Sequence, residues 1–428
     1  MRTLDEWLAH QQAQHSRTID LGLERVAEVA LRLGLLPAAM PVVLVGGTNG
    51  KGSTVAFLTA IAREAGLRVG TYTSPHLVRY AERVALDGEP VDERLLLESF
   101  ERIEAERREI PLTFFEYGTL AAYDIFRHAA VDLAVVEVGL GGRLDATNIV
   151  DADVAVVCSI GLDHTDWLGP TLEDIGREKA GIFRPGRAAI LGSAAMPDSV
   201  LQGVTERGAI ARSAGRDFHV ELGAGAVTGS AWAWHGWAGD FTDLPVPGLS
   251  GRIQYDNAAA AIAAFTALLE ARPALLPGGL DPGCLRRALA SVRLRGRFQR
   301  IPGQPEWILD VAHNEAAARV LADQLALLPS PGRTLAVAGI LADKDVAAIG
   351  RVLAPVVDGW ILCGLDGPRS LDAEELRVRL PPECRSLALV PDVASGCGVA
   401  RALARPDDRI LVLGSFHTVG PALEWLGV

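Results

Sequence analysis

Short runs of β-branched and other apolar residues alternate along this chain with longer segments that have the spacing of amphipathic helices. This alternation is typical of βαβ units, in which a mainly parallel sheet is covered by helices on both faces. A first series of such runs occupies the N-terminal part, and a second series begins after residue 297. Strands are predicted at residues 42–45, 69–73, 133–138 and 154–158, then at 307–310, 334–339, 360–363, 387–390 and 410–413, and a helix is predicted at 51–64.

The two series predict two α/β domains, each long enough within this chain of 428 residues to bury its own core. The first covers residues 1–295 and the second, smaller one covers residues 296–428. Their connection lies in the basic, glycine-containing stretch 291–297. Residues 217–248 have a shorter period and predict an appended β-hairpin. The hairpin carries three tryptophans, Trp232, Trp234 and Trp237. Their indoles are interpreted as a packing cluster rather than a binding platform.

Composition and charge exclude several classes of function. The formal net charge is −12 and the pI is about 5.3, whereas binding to a nucleic-acid backbone needs a basic surface. No apolar stretch approaches the roughly 18 residues of a membrane span, and the N-terminus lacks the pattern of a signal peptide. The cysteines are odd in number, widely spaced and free of CxxC pairs, which is typical of a reducing, cytoplasmic compartment. They are Cys158, Cys284, Cys363, Cys384 and Cys397.

Lysine is rare, with three lysines against 38 arginines. Arginine supplies most of the positive charge, so the retained amines predict chemistry that a guanidinium cannot perform. A compact ammonium can neutralise a phosphate, and an ε-amine can lose its proton and react. Lys51 and Lys179 are interpreted in this way, whereas Lys344 is also compatible with codon bias and chance.

The strongest chemical signal is the glycine-rich loop at residues 46–52. It follows a buried strand and leads into a helix, so its backbone N–H groups and the helix dipole can surround an anion, with Lys51 in reach of the outer phosphates of a nucleotide triphosphate. The loop departs from the common Walker pattern, because Val45 stands where the first glycine falls and Gly52 separates the lysine from Ser53. A turn without a ligand is the alternative. The N-terminal domain is thus predicted to be P-loop ATPase-like, and the C-terminal domain Rossmann-like.

Three further side chains lie at the ends of predicted parallel strands or shortly after them, and these carboxyl ends meet at one edge of a sheet, where ligands bind. Glu137 lies in an apolar strand just before a glycine-rich turn, where a buried carboxylate needs a cation or a charged partner. Mg²⁺ prefers hard oxygen donors, so Glu137 is a predicted ligand, with an ion pair to an arginine as the alternative. For His164, chemistry leaves a direct ligand role and an orienting role equally open. Ser74 offers a hydroxyl at the same edge, with an ordinary turn residue before proline as the alternative.

Eight blocks of residues, in order along nearly the whole chain, carry a resemblance to a known family. The chain resembles folylpolyglutamate synthase in its bacterial form that is also dihydrofolate synthase, within the Mur ligase superfamily of ATP-dependent amide-forming enzymes. The resemblance is less specific near residues 232–237 and over 355–385. The blocks are residues 47–53, 74–77, 115–119, 137–148, 163–165, 177–181, 310–314 and 414–419.

The resemblance implies a role for each matching residue. It implies that Ser74, Glu137 and His164 are the magnesium ligands, and that Lys179 carries a carbamate, which would let this side chain approach a cation. Lys344 also lies in a segment that matches the family, but no step of the reaction is assigned to it. The implied contacts to ATP are made by Thr48, Asn49, Gly50, Lys51, Ser53, Asn257, Arg297, Asp310 and His313. The implied pterin-side pocket is formed by Ile19, Asp20, Leu21, Gly22, Thr113, Phe114, Phe115, Glu116, Leu144, Asp145 and Ala146.

The implied reaction is ATP-dependent addition of L-glutamate to dihydropteroate and to reduced folates. A substrate carboxylate attacks the γ-phosphate of ATP, and the amine of glutamate then displaces phosphate from the resulting acyl phosphate. Lys51, Lys179, Glu137 and His164 are the expected catalytic residues, since charge on the transferring phosphoryl group must be neutralised. We expect ATP and two Mg²⁺ ions as cofactors, small molecules as the only partners, and a cytoplasmic monomer.

Two other functions are compatible with parts of this sequence. Another Mur-type ligase, acting on a nucleotide-linked sugar peptide, would share Lys51, Glu137 and His164. It should lack the blocks at 115–117 and 144–146, which are present. A non-catalytic nucleotide-binding module would need no reactive amine, so the retention of Lys179 together with Glu137 and His164 argues against it.

Overall fold

The computed structural model of the chain describes residues 2–15, 19–223, 231–328, 332–367 and 369–428. The chain divides into two compact units. Within the described residues all five cysteines are free, buried thiols, and no helix there has the length and apolar character needed to cross a membrane. The N-terminal unit comprises Met1–His76, Tyr80–Gly248 and Gln254–Val292, and the C-terminal unit comprises Leu77–Arg79, Leu249–Ile253 and Arg293–Val428.

The N-terminal unit is built on an eight-stranded sheet whose central strands are the predicted apolar runs. The strands are β1 (Val42–Gly46), β2 (Val69–Tyr72), β3 (Val84–Leu86), β4 (Glu89–Pro90), β5 (Leu133–Glu137), β6 (Val154–Val157), β7 (Ala188–Leu191) and β8 (Ile210–Ser213). Their order is β4-β3-β2-β5-β1-β6-β7-β8. Six neighbouring strands of the sheet, β2, β5, β1, β6, β7 and β8, are parallel. Strands β3 and β4 are antiparallel additions at one edge. Strands β1, β5 and β6 are buried along their whole length, as expected for a parallel sheet covered on both faces.

Helices cover this sheet, and several begin at side chains that satisfy the free N–H groups of the first turn. Thr113 and Glu116 form a reciprocal capping box at one of them, which is a strong start signal for a helix. The helices of this unit are α1 (Leu4–Gln14), α2 (Glu24–Arg32), α3 (Lys51–Glu64), α4 (Glu93–Arg107), α5 (Phe114–His128), α6 (Thr165–Leu168), α7 (Leu172–Lys179), α8 (Asp198–Glu206), α9 (Ile253–Ala271) and α10 (Pro282–Ser291).

The tryptophan-rich region is a small antiparallel sheet rather than a hairpin alone. Its strands are β9 (Phe218–Leu222), β10 (Trp232–Gly236) and β11 (Gly239–Leu244), in the order β11-β10-β9. Residues 224–230 of the predicted hairpin region lie outside the described residues. Trp232 and Trp234 are fully buried, so the interpretation of the indoles as a packing cluster is confirmed for these two.

The C-terminal unit has a six-stranded sheet of order β12-β13-β17-β14-β15-β16, which is parallel except for β12. Helices lie between its parallel strands along the chain, as predicted for a Rossmann-like domain, and the α/β fold class is confirmed. Its elements are β12 (Gln299–Ile301), β13 (Glu306–Asp310), α11 (Glu315–Leu327), β14 (Thr334–Ala338), α12 (Val346–Leu353), β15 (Gly359–Cys363), α13 (Ala373–Arg379), β16 (Ser386–Val390), α14 (Val393–Leu403), β17 (Arg409–Leu413) and α15 (Phe416–Leu426).

Candidate active site

Four adjacent parallel strands bring the predicted N-terminal site residues to one edge of the sheet. The strand order places β2, β5, β1 and β6 side by side, and neighbouring strands are about 4.8 Å apart. Ser74 follows β2, Glu137 ends β5, the glycine loop follows β1, and His164 follows β6. The carboxyl edge of a parallel sheet is where ligands bind in such folds. The sequence prediction of a shared sheet edge is thus confirmed.

The glycine loop adopts backbone conformations that favour glycine. Gly47 has φ of 141° and Gly50 has φ of 90°, both in the region that side chains rarely enter. Gly50 directly precedes α3, and a Cβ atom there would lie 2.5 Å from Oδ1 of Asn257. Lys51 is the first residue of α3 and Ser53 is buried in its first turn. The first N–H groups of α3 have no partner within the helix, so this end can hold an anion.

Residues after β6 hold the loop in place. The N–H of Thr48 donates to the carbonyl of Ser159 at 2.7 Å. The Thr48 hydroxyl donates to the carbonyl of Gly161 and accepts from its N–H, both at 3.0 Å. The Ser159 hydroxyl donates to the carbonyl of Asn49 at 3.0 Å and accepts from its N–H at 3.3 Å. Ser159 was not singled out from the sequence, because nothing local indicates that it pairs with a loop more than 100 residues earlier.

Two lysines converge on the carbonyl oxygen of Gly47. Nζ of Lys51 donates to it at 3.1 Å and to the carbonyl of Thr48 at 3.2 Å. Nζ of Lys179, which lies at the end of α7, donates to the same Gly47 oxygen at 3.0 Å. The side chain of Lys179 is buried. Two of the three lysines of the chain therefore meet at the predicted phosphate site.

Burial and a like charge make the amine of Lys179 easier to deprotonate. Its pKa is lowered from the ordinary value of 10.5 to about 7, first because burial removes its hydration and second because of the positive charge of Lys51. Asp163 and Asp145 act in the opposite direction. A neutral amine at physiological pH is the form that can react with carbon dioxide, so this environment fits the predicted carbamate.

We expect the unmodified amine of Lys179 to make folding stability depend on pH. Its folded pKa lies below its unfolded pKa, so between pH values of about 7 and 10.5 the unfolded chain binds a proton that the folded chain does not. In buffer free of carbon dioxide, the free energy of unfolding relative to Lys179→Met should be lowest below pH 7. It should then rise by up to about 1.4 kcal/mol per pH unit. Chemical denaturation across this range measures the difference, and a difference that does not vary with pH would contradict the assignment.

Ser74 and Glu137 are direct neighbours at the sheet edge. The N–H of Ser74 donates to Oε2 of Glu137 at 3.4 Å, and the Glu137 side chain is buried. His164 has left-handed backbone with φ of 52° at the start of α6, and its N–H donates to Oδ1 of Asp163 at 2.9 Å. Within the described residues no group of three His, Cys, Asp or Glu side chains is placed to hold a metal ion. A buried carboxylate that contacts the backbone of Ser74, with an imidazole following the strand β6 at the same edge, fits a divalent cation that also binds phosphate oxygens.

The predicted pterin-side residues are held together by an arginine that the sequence did not reveal. Nη1 of Arg25 contacts Oδ2 of Asp20 at 2.6 Å, and Nη2 donates to Oε1 of Glu116 at 3.2 Å. The other Glu116 oxygen accepts from the N–H of Thr113 at 2.7 Å. Burial raises the pKa of the Glu116 carboxyl. Arg25 therefore links the segment of Ile19, Asp20, Leu21 and Gly22 to the start of α5, where Thr113, Phe114, Phe115 and Glu116 lie.

The loop after β5 is organised by Asp145. Its carboxylate accepts from the N–H of Leu140 at 2.7 Å and from the N–H and hydroxyl of Thr147 at 3.0 and 2.6 Å. Burial raises the pKa of this carboxyl. The ring of Phe115 lies over Gly139, where a Cβ atom would come within 2.5 Å of it. This loop therefore carries Leu144, Asp145 and Ala146 next to the aromatic start of α5.

The remaining predicted residues lie in the C-terminal unit. Asp310 ends β13, and its carboxylate accepts from the N–H groups of Phe298 and Ala312 at 2.7 and 2.8 Å. Burial raises the pKa of Asp310, and the charge of Arg297 opposes this effect. Nδ1 of His313 lies 2.8 Å from the carbonyl of Val311. The structure therefore brings Arg297, Asp310 and His313 to one end of β13. Lys344 is not part of this group, and its Nζ lies 3.3 Å from Oδ2 of Asp343.

Two family models match this chain. The Mur ligase middle domain matches residues 45–265, and the Mur ligase glutamate ligase domain matches residues 296–416. The first match spans nearly all of the sheet of the N-terminal unit, and the second spans the sheet of the C-terminal unit.

Similar proteins cover nearly the whole chain. The dihydrofolate synthase/folylpolyglutamate synthase of Escherichia coli strain K12 is 46% identical over 423 residues, which cover 98% of this chain and 95% of that protein. The solved structure of E. coli FolC in complex with DHPP and ADP has a TM-score of 0.92 and 45% identity, and the match covers 100% of this chain and 98% of that one. A bifunctional folylpolyglutamate synthase/dihydrofolate synthase with Mn, AMPPNP and L-glutamate bound has a TM-score of 0.90 and 42% identity, covering 100% and 99%.

Proposed function

Because the chain belongs to the dihydrofolate synthase/folylpolyglutamate synthase family of Mur ligases, it is an ATP-dependent ligase, and we propose which residues perform its reaction. The reaction adds L-glutamate to dihydropteroate and to reduced folates. ATP and a divalent metal ion are its cofactors, as in the complexes of similar proteins with ADP, AMPPNP and Mn. The observation that carries the assignment is the convergence of Lys51 and Lys179 on Gly47 beside the buried Glu137.

The glycine loop binds the phosphates of ATP in this proposal. The N–H groups at the start of α3 point to an anion, and Lys51 exchanges its bond to the Gly47 carbonyl for bonds to phosphate oxygens. Its charge then stabilises the transferring phosphoryl group, where electrostatic stabilisation supplies most of the catalysis. The residues assigned to ATP in the N-terminal unit are Thr48, Asn49, Gly50, Lys51, Ser53 and Asn257. For Arg297, Asp310 and His313, contact with ATP stays a prediction from the family resemblance.

The acceptor binds next to the loop after β5. Arg25 holds Asp20 and Glu116, and Asp145 holds the loop backbone, so the pocket is formed before the acceptor arrives. The acceptor carboxylate is a poor acyl donor, so its phosphorylation by ATP precedes attack by the glutamate amine. The pocket residues are Ile19, Asp20, Leu21, Gly22, Thr113, Phe114, Phe115, Glu116, Leu144, Asp145 and Ala146.

Ser74, Glu137 and His164 hold the divalent metal ion, and Lys179 as a carbamate holds a second one. When bound, the ions neutralise phosphate charge and polarise the phosphoryl oxygens. Formation of the carbamate needs the neutral amine that burial and Lys51 favour at Lys179. We propose that the boundary between the two catalytic domains lies between residues 295 and 296, close to the change from the N-terminal to the C-terminal unit between Val292 and Arg293. We further propose that the enzyme acts as a cytoplasmic monomer on small molecules only.

An assay of ADP release tests this function. We expect release to require both L-glutamate and dihydropteroate or a reduced folate, with an amide product in equal amount. Release that depends on a nucleotide-linked sugar peptide would indicate another Mur-type ligase. Nucleotide binding without any acceptor-dependent release would indicate a binding module.

The metal assignment predicts a specific loss in the Glu137→Gln and His164→Ala variants. Each variant removes one metal ligand, so the Mg²⁺ concentration needed for half-maximal activity should rise by about tenfold or more, by analogy with losses in metal affinity at other sites. Thermal stability should change less. A titration of activity with Mg²⁺ measures this effect, and Glu98→Gln, an exposed carboxylate paired with Arg94 on α4, is the control. Unchanged metal dependence together with a lower Tm would assign both residues to structure instead.

A further inference from the structure

The small antiparallel sheet makes several contacts with one helix, α9. Nε1 of Trp234 donates to the carbonyl of Ala259 at 3.2 Å, and Nε1 of Trp237 donates to Oε1 of Glu270 at 2.7 Å. The ring of Trp232 packs edge-on against the ring of Tyr255, with centroids 5.5 Å apart. These three indoles therefore fix α9 near its start and near its end.

The contacts all lie on one side of α9. Successive residues of a helix are rotated by about 100° around its axis, so Tyr255, Ala259 and Glu270 fall within an arc of about 60° around the axis of α9. By the same measure Asn257 lies at least about 140° around the axis from each of them. The helix thus separates the tryptophan sheet from Asn257.

Asn257 faces the glycine loop from the other side of α9. Its Oδ1 is so close to Gly50 that a Cβ atom there would lie 2.5 Å away. Its Nδ2 donates to Oε1 of Gln254 at 3.0 Å, which fixes the orientation of the amide. Asn257 is buried. A small shift of α9 would therefore move Asn257 against the loop that precedes Lys51.

Directly after Asn257, α9 continues as a run of small side chains, which includes Ala259, the residue that Trp234 contacts. Residues 258–261 are alanines, and all four are buried. Close-packed interiors have few voids and transmit displacement rather than absorb it. The helix therefore has little room to move toward or away from the glycine loop while the tryptophan sheet is in place.

We propose that the tryptophan sheet is a positioning element for the nucleotide site, acting through α9 and Asn257. Trp234 is its central positioning residue, because its indole is fully buried and bonds the helix backbone two residues after Asn257. The proposal rests on the assignment of Asn257 to ATP made above. It gives a function to the tryptophan sheet, which is separate from the sheet edge where β2, β5, β1 and β6 end.

A double-mutant cycle tests this proposal. The variants are Trp234→Phe, which keeps an aromatic ring but removes the N–H donor, Asn257→Ala, and the double variant. The measurement is the Kd for ADP in the presence of Mg²⁺, by titration calorimetry. Trp234→Phe should raise this Kd by about fivefold, the scale of one neutral hydrogen bond. In the Asn257→Ala background the same change should have little further effect, because interacting residues are not additive.

Trp360→Phe is the matched control. Trp360 is a fully buried tryptophan of the C-terminal unit, and within the described residues its Nε1 has no hydrogen-bond partner. This variant should leave the Kd for ADP unchanged even where it lowers the Tm. If Trp234→Phe does not fold, Trp237→Phe replaces it in the cycle, because this variant keeps an aromatic ring and loses the hydrogen bond from Nε1 to Glu270.

Three outcomes overturn the positioning role. They are an unchanged Kd in Trp234→Phe, fully additive effects in the double variant, and an Asn257→Ala variant that binds ADP normally. The last outcome removes Asn257 from the nucleotide site but leaves the glycine loop in place. Failure of the proposed nucleotide site itself would appear differently, as normal ADP affinity in a Lys51 variant.

Discussion

Replacing Lys51 with alanine is expected to lower the rate of amide formation by about a hundredfold or more, the scale seen when one preorganised electrostatic group is removed. The Lys51 ammonium lies at the start of α3 beside the Gly47 and Thr48 carbonyls. Without it, charge that develops on the transferring phosphoryl group has no compensating cation from the loop. Steady-state rates of ADP release at saturating ATP measure the loss.

Arg63→Ala is the control for Lys51→Ala. Arg63 is an exposed basic residue in the last turn of the same helix, so this variant removes a positive charge far from the loop. It should keep normal rates. If folded Lys51→Ala also kept near-normal turnover, the glycine loop would not be the nucleotide site.

Lys179→Ala is expected to be nearly inactive, and Lys179→Arg should be equally inactive although it keeps the positive charge. A guanidinium remains protonated and cannot form a carbamate, so a role that depends on the carbamate is lost in both variants. A small carboxylate such as acetate or formate, added to Lys179→Ala, should restore part of the activity by supplying the missing anion. Mass spectrometry of the native protein under carbon dioxide should detect the carbamate directly.

Arg177→Ala separates this effect from a general disturbance of α7. Arg177 lies on the same helix and pairs with Asp174 at the surface, so its loss should leave activity unchanged. An active Lys179→Arg enzyme, or an unmodified ammonium in an electron-density map of the enzyme with ATP and Mg²⁺, would reduce Lys179 to an ordinary structural cation.

The features that the sequence predicted well are those encoded by neighbouring residues. The helix predicted at 51–64 is α3 at the same bounds, because the glycines before it and Lys51 at its start are local signals. The predicted strand ends differ from the observed ends by about one residue, which is ordinary at strand termini. The shared sheet edge followed from the rule that parallel strands end together.

The features that were missed depend on contacts distant in sequence. Arg25 joins Asp20 to Glu116, and Ser159 holds Asn49. Neither residue lies in a motif, so only the assembled fold reveals them. Segments 77–79 and 249–253 belong to the C-terminal unit although they are surrounded in sequence by the N-terminal one, and no composition signal marks them. The third strand of the tryptophan sheet, β9, was missed although its residues Phe218–Leu222 alternate between apolar and polar, which is a local signal for a strand.

The strand order also determines when during folding a nucleotide can first be bound. The strand that leads into the glycine loop pairs Val42 with Ala134 on one side and Val43 with Val154 on the other. Such distant pairings form slowly, because the intervening chain must be ordered first. A nascent chain that has not yet reached β6 lacks Ser159, so its glycine loop is without the bonds that hold Thr48 and Asn49. Nucleotide affinity should therefore appear only once the chain has formed β6 and the segment that follows it, and ATP in the cell would stabilise chains that have reached this point and not shorter ones.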